Sequence, residues 1–498
     1  MILRLALRSL LTHPIRSLVL ACGFGLGVGV MAMLLGVGEV ILDQARSPAV
    51  SGGGDVVIAS SSGDLPSARW IMSSGLRTGG FENRVAAASP SRRATLYLVR
   101  KPGAKTENVP PQYVVPGFSR AETVRIRAQG GIPSLERAIG DPETSLITPW
   151  TDATSDAPWS SPDPATALAA LDRFHPIPDV PARADSWAEW LYFNGQAGDT
   201  RFYLTFMVGP RRAGAALGTR QAGVRLQLDR AGQRSSYSQS HDVNEADVLR
   251  SAPNLTIGSN SVRLEGMRYH IALDLPGENR TSRVTGDIVI DASPGRALPP
   301  LEIRGAGGWV SGYVVPVMSG PLTGRLTLLR RGYGGRDGTP VVFEDGTGYH
   351  DHNWGFWKDV SWRWGQVHHG DLSFVYGRIH PPADAADPER IPGFLAVIGP
   401  DGPAGYATNV SIEETNDPAT GHPRTILVTA RSSSLDMAME LSVAEAIVTR
   451  RSGGLFGSST SGELDFLQLR ARYLVRGRAG DRPIDFTASG AAETFRGR

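Results

Sequence analysis

The chain has 498 residues, 51 lysine and arginine side chains against 49 aspartate and glutamate, and one cysteine. Near charge balance, with the basic residues scattered rather than striped, excludes a protein built around nucleic acid. A lone cysteine excludes an intrachain disulfide and a cysteine-based zinc site, so the fold rests on packing, and 41% apolar residues are enough to build real cores.

The first element in chain order is an apolar run. From Ser17 to Gly38 no residue is charged. At 1.5 Å per residue, about 22 residues span roughly 33 Å, enough to cross a hydrocarbon core of ~30 Å. Arg4, Arg8 and Arg16 precede the run, whereas Glu39, Asp43 and Arg46 follow it. The positive-inside bias makes 1–16 a cytoplasmic tail and 17–42 a single-pass anchor with its N-terminus inside. Everything after it then lies outside, in the periplasm of a bacterial inner-membrane protein. A cleaved signal peptide and lipoprotein processing at Cys22 are the rival readings. The first would have a shorter apolar region, and the second a polar stretch after the cysteine. Gly23, Gly25, Gly27 and Gly29 follow no strand, so they are no nucleotide loop; as small-xxx-small pairs they permit a partner helix to approach.

The stretch from LALRSLLTHPIR through the glycine-rich run to GGDVVIAS resembles the start of an FtsX/MacB-type ABC-exporter permease. The resemblance covers about the first 60 residues and implies permease or ATPase partners. No second apolar run of that length follows, so the chain is not a transporter by itself.

Residues 43–150 read as a small β-rich extracytoplasmic segment. Its strand-like runs are Asp55–Ala59, Ala94–Arg100 and Gln112–Val115, with a short helix at Ser134–Ile139. Residues 151–185 are rich in Pro, Asp, Ser and Ala and read as a linker, with helical turns around Ala165–Leu171. From Trp187 onward, strand follows strand: Arg201–Val208, Val224–Leu228, Ser261–Leu275 in pieces, Val284–Ile290, Val341–Phe343, Leu372–Ile379, Phe394–Ile398, Thr425–Ala430, Met437–Leu441, Phe466–Val475 and Ile484–Ala488. No useful helical period intervenes, so the pattern is mostly β and antiparallel. About 310 residues exceed one eight-stranded barrel. Two barrels in tandem are expected, over 186–357 and 358–498.

Two motifs carry the candidate chemistry. In Ser186-Trp187-Ala188-Glu189-Trp190-Leu191-Tyr192-Phe193-Asn194, strand alternation puts Trp187, Glu189 and Leu191 on one face and Trp190 and Tyr192 on the other. Glu189 is then an internal acid, the base of an arginine clamp, or an ion-paired member of an aromatic plug. In Gly346-Thr347-Gly348-Tyr349-His350-Asp351-His352-Asn353-Trp354-Gly355, Tyr349, Asp351 and Asn353 share one face, and His350, His352 and Trp354 the other. Three readings compete. His350 and His352 are two legs of a zinc site completed by His368, His369 or Asp371; the cluster is a hydrogen-bond knot that holds a barrel closed; or Asp351, assisted by Tyr349, faces an apolar cavity as a general acid.

Together SWAEWLYFN, GYHDHNWG, WRWGQVHHGDLSFVYGRI and DFTASGAAETF resemble the hydroxyneurosporene synthase (CrtC)/AttH-like family, which includes carotenoid 1,2-hydratases and relatives of fungal Diels–Alderases. The resemblance covers 187–498 and implies two lipocalin-like barrel halves. It also implies catalytic roles for Tyr349 and Asp351. The His/Trp pair that the hydratases use upstream has a counterpart here only in Trp309 and Tyr313, without a histidine. Hydration of an isoprenoid alkene requires a protonated carboxyl in an apolar barrel, with aromatic faces to steady the cation, and no cofactor or metal. The same cavity equally serves a protein that binds an apolar small molecule or lipid through Trp187, Glu189, Trp190, Tyr192, Trp309, Tyr313, His350, His352, Asn353 and Trp354.

Overall fold

The computed structural model describes residues 71–72, 85–99, 123–139, 151–156 and 163–497, apart from 279–280, 294, 333–334, 401 and 452–463. The apolar run at 17–42, Cys22 and the strand-like runs Asp55–Ala59 and Gln112–Val115 lie outside the described residues. Among the described residues no helix is long and apolar enough to cross a membrane. Two compact units divide the described chain, with 86–160 in one and 161–498 in the other.

In the first unit, β1 (Arg92–Val99) pairs antiparallel with β2 (Thr123–Gly130), Arg92 lying opposite Gly130. The short helix α1 (Pro133–Ala138) follows, started by a proline whose missing N–H costs nothing in a first turn. Ser89 donates to Glu136 at 2.7 Å.

The second unit begins with α2 (Pro164–Leu171) and is otherwise built of strands. The first sheet takes β3 (Trp187–Ala197), β4 (Thr200–Arg211), β5 (Thr219–Arg230) and β6 (Gln233–Asn244), then the short α3 (Glu245–Ser251). It continues with β7 (Leu255–Ile257), β8 (Asn260–Glu265), β9 (Arg268–Pro276), β10 (Ser282–Asp291), β11 (Leu298–Arg304), β12 (Val310–Gly332) and β13 (Gly335–Phe356). Its order is β6-β5-β4-β3-β13-β12-β10-β9-β8-β7, with β11 added to β12. The second sheet is β14 (Ser361–His369), β15 (Leu372–His380), β16 (Phe394–Gly399), β17 (Gly402–Ala407), β18 (Asn409–Asn416), β19 (Pro423–Arg431), β20 (Leu435–Arg451), β21 (Leu464–Ala479) and β22 (Arg482–Gly497), ordered β17-β16-β15-β14-β22-β21-β20-β19-β18.

In each sheet the first strand pairs with the last, β3 with β13 and β14 with β22. That return curls each sheet into a nearly closed antiparallel barrel, and the two stand in tandem along the chain. Closure leaves few free strand edges, which suits a chain rich in short, turn-separated strands. At the gap of the first barrel a single bridge joins Tyr237 of β6 to Gly277, just past β9.

Phe193, Phe202, Phe206, Tyr269 and Phe343 fill the first barrel, joined by Leu168 and Phe174 from α2 and the turn after it. Phe374, Tyr376, Met439 and Tyr473 fill the second. A third cluster gathers Trp190, Tyr192, Tyr349, Trp357, Trp364 and Ala491 from the outer walls of both barrels into a seam. Each such side chain contributes ~1.5–3 kcal/mol on leaving water. The segment read as a linker also contributes to the cores, with Leu168 and Phe174 in the first barrel and Leu171 and Ile177 in the seam.

Candidate functional site

Helix α2 delivers the first site residue. Asp163 caps it, accepting from the backbone N–H of Thr166 at 2.8 Å, and Pro164 sets its first turn. The helix ends at Asp172, whose side chain is fully buried inside the first barrel. His350 and His352 reach it from β13, because alternation turns both rings to the barrel interior. His350 Nε2 lies 3.0 Å and His352 Nδ1 2.9 Å from the two Asp172 oxygens, and the Tyr269 hydroxyl donates to Oδ2 at 2.8 Å. His350 Nδ1 faces the Tyr192 carbonyl at 3.0 Å, and its ring stacks on Phe193 at 4.0 Å.

Glu189 lies on the other side of His352. His352 Nε2 stands 3.0 Å from Glu189 Oε1, and His175 meets the same oxygen through Nδ1 at 2.8 Å and its backbone N–H at 3.0 Å. His175 stacks on Trp354 with centroids 4.2 Å apart. The Trp354 indole in turn lies over Gly312, where a Cβ would stand 2.0 Å from the ring, so only glycine admits it.

These contacts set the charge states. Burial opposes the charge on Asp172, but His350 and His352 outweigh it and hold the carboxyl below the usual range. Burial likewise opposes ionisation of Glu189, and His175 with His352 pulls it down to about 2. Burial disfavours a charged His352, yet hydrogen bonds to Asp172 and Glu189 lift it to about 9. In this state both ring nitrogens donate to carboxylates. Glu189 is thus an ion-paired acid with histidine partners rather than the base of an arginine clamp.

The opposite face of β13 carries uncharged hydroxyls. Tyr349 donates to Asp351 Oδ2 at 2.9 Å, and Asn353 donates to Oδ1 at 2.7 Å. The Tyr313 and Tyr349 hydroxyls are 2.8 Å apart, and Trp364 Nε1 of the second barrel donates to Tyr313 at 2.9 Å. Burial and the neighbouring Glu493 push Asp351 well above the usual carboxylate range, against the bonds from Tyr349 and Asn353. Burial also raises Glu493 to about 7, against the opposing pull of the nearby polar groups of Tyr192, Trp362 and Gln468. Tyr349 lines a cavity of about 320 Å³ between the two barrels, with Asn194, Tyr203, Met318, Gln366 and His368.

Trp187, Trp190 and Trp309 are packing residues in the seam cluster. Trp187 meets Phe356 edge-on at 5.1 Å, Trp190 leans on Trp357 at 4.6 Å, and Trp309 Nε1 donates to the Phe356 carbonyl at 2.9 Å. Of the three competing readings of the motif, the zinc set of His350 and His352 completed by His368, His369 or Asp371 is not assembled. His368 faces Ser373 at 3.2 Å, His369 stacks on Phe486 at 4.3 Å, and Asp371 pairs with Arg482 at 2.8 Å, all in the second barrel. The metal-ligating groups that do converge among the described residues are His175, Glu189 and His352, whose ligand atoms lie within 4.8 Å of one another.

Sequence reasoning missed Asp172, His175, Trp364 and Glu493. For the first two a signal existed: Asp172-Arg173-Phe174-His175 interrupts a Pro- and Ala-rich stretch with an aromatic and two chemistry-bearing residues.

No protein-family model and no curated protein matches the chain. Among solved structures it is similar to NE1406 of Nitrosomonas europaea, provisionally described as an AttH, at 15% identity and a TM-score of 0.39, over 64% of this chain and 99% of that one. It is also similar to CghA, solved with Sch210972 (12% identity, TM-score 0.41) and alone (12%, 0.40), over 62% of this chain and 88% of CghA in both cases.

Proposed function

We propose that the protein is a membrane-anchored, extracytoplasmic tandem barrel of the lipocalin-like, AttH/CrtC type that binds an isoprenoid- or lipid-like molecule. The observation that carries this reading is the cavity of about 320 Å³ in the seam, where Phe202, Tyr203, Tyr349 and Met318 meet a polar lining that includes Asn194, Gln196, Arg201, Thr347, Gln366 and His368. Small-molecule sites of this size pair apolar walls with a few placed polar groups. An occupant would set its apolar part against Phe202, Tyr203 and Met318 and a polar end among the amide, hydroxyl and charged groups of the same lining. The charge-free run at 17–38, with arginines before it, supports the anchor, and the permease-like start supports work beside an ABC exporter. The test is mass spectrometry of solvent extracts from the purified full chain and from Gln366→Trp, which fills the cavity from a partly exposed position. A discrete lipid-like species in the first and its loss in the second is the expected result. Equal extracts from the two would overturn the reading.

The Tyr349–Asp351 geometry favours a second reading, a cofactor-free hydro-lyase of the carotenoid 1,2-hydratase type. Asp351 sits behind Tyr349, and a protonated Asp351 would donate to the Tyr349 oxygen where the ionised form accepts from it. The carboxyl proton then passes to that oxygen while the tyrosine proton goes to an alkene carbon. Water captures the cation, and the proton that water releases returns through Tyr349 to the Asp351 carboxylate. Turnover of acyclic carotenoids that disappears in Asp351→Asn establishes it. Retained lipid without turnover leaves the binding protein.

A further inference from the structure

Beyond that reading, we propose that His175, Glu189 and His352 form a site for a divalent transition cation, zinc in the first place. Two imidazole nitrogens and one carboxylate oxygen are a donor set that suits Zn²⁺. The three atoms lie within 4.8 Å of one another, with His175 Nδ1 2.8 Å and His352 Nε2 3.0 Å from Glu189 Oε1. Around a tetrahedral zinc with bonds of about 2.0–2.1 Å, ligand atoms stand roughly 3.3 Å apart. To admit the ion, those two separations open by a few tenths of an ångström and the two ring nitrogens, within 4.8 Å of each other, come to a similar spacing.

The surroundings match the needs of a metal-bound histidine. A ligating imidazole is ordinarily oriented by a hydrogen bond from its other nitrogen to a carboxylate or carbonyl. His352 has that partner in Asp172, 2.9 Å from Nδ1. His175 is held by its stack on Trp354 and by its own backbone N–H on Glu189. The cation takes the place of the protons on His175 Nδ1 and His352 Nε2 that otherwise face Glu189. It joins the turn after α2 to both β3 and β13.

The site has an entrance. Glu189 and His352 are fully buried, but the His175 side chain is 23% exposed. His175 also lines an open cavity of about 560 Å³ with Arg173, Phe174, Pro176 and Leu249. Three protein ligands leave a fourth position for water, the ligand count of catalytic rather than structural zinc sites.

The experiment uses the untagged full chain, stripped with chelator, dialysed and titrated with Zn²⁺ by calorimetry and with Co²⁺ by visible absorption. One equivalent of Zn²⁺ per chain is expected, together with the spectrum of four-coordinate Co²⁺. His175→Ala, at a partly exposed position, still unfolds in one cooperative transition, at a lower stability than the wild type, and weakens binding at least tenfold. Asp172→Asn, acting on a positioning residue, weakens it by about 10–100-fold. His368→Ala leaves it unchanged. If Glu189→Gln or Asp172→Asn fails to fold, His175→Ala still decides. Absence of stoichiometric binding by the wild type, or wild-type affinity in His175→Ala, overturns the proposal and leaves a proton-bridged knot.

Discussion

His350 and His352 on one face of β13 and Tyr349 and Asp351 on the other are neighbours along the chain, yet their carboxyl partners shift in opposite directions. Inside the barrel, Asp172 and Glu189 meet imidazoles and stay ionised despite complete burial. In the seam, Asp351 meets a phenol and an amide, with a second acid nearby, and is pushed towards neutrality. Burial is equal on the two sides. The charge of the available partner decides which carboxyl keeps its proton. The inner face is thus a fastening, and the outer face holds acids whose ionisation burial opposes.

The largest effect that would test this contrast comes from the inner face. Asp172→Ala leaves His350, His352 and the Tyr269 hydroxyl without their buried acceptor and costs about 3–5 kcal/mol in urea unfolding. A loss below about 1 kcal/mol would break the comparison. The seam then predicts a pH effect of definite sign. Glu493 titrates near 7 in the fold against 4.5 as a free side chain. The folded state thus holds a proton that the unfolded state releases. That contribution is complete below pH 4.5 and is lost as pH rises through 7, on the order of 3 kcal/mol. Glu493→Gln, measured by unfolding at pH 5 and pH 8, lessens the dependence, the remainder belonging to Asp351, which burial also raises; an unchanged slope would refute the assignment. Tyr349→Phe is expected to cost about 1–2 kcal/mol, because it removes the hydroxyl between Tyr313 and Asp351. Asn353→Ala is the mildest, about 1 kcal/mol, since Asp351 keeps its bond from Tyr349. A reversal of these last two would show that the amide, not the phenol, anchors the outer face.

The face assignments on β13 were legible because strand alternation needs only consecutive residues. Most strand runs after Trp187 were legible for the same reason: Arg201–Val208 lies within β4, Val224–Leu228 within β5 and Leu372–Ile379 within β15. The strand-like run Val341–Phe343 stopped short, because Glu344-Asp345-Gly346 has the composition of a turn. The strand runs straight through it, absorbing the extra residue as a bulge with Asp345 at φ 51° where the register shifts between Leu322 and Gly324. The partners of the site were not legible, since barrel closure brings together residues separated by 178 positions, as with Asp172 and His350. Glu493 was hidden differently. It sits among small residues in AAETF, and only the pairing of β22 with β14, Glu493 opposite Trp364, puts it in the seam.

The placement of Asp172 also orders events in time. It emerges from the ribosome 178 residues before the first histidine that receives it. At about 5–20 residues per second that is on the order of ten to forty seconds. Through that interval β3 lacks its β13 neighbour, and the carboxylates of Asp172 and Glu189 have no imidazole from β13 to pair with. Arrival of β13 completes the first sheet and pairs both carboxylates in a single step. Contacts so distant in sequence make folding slow, and they make the first barrel's interior a record of whether its own last strand has been delivered.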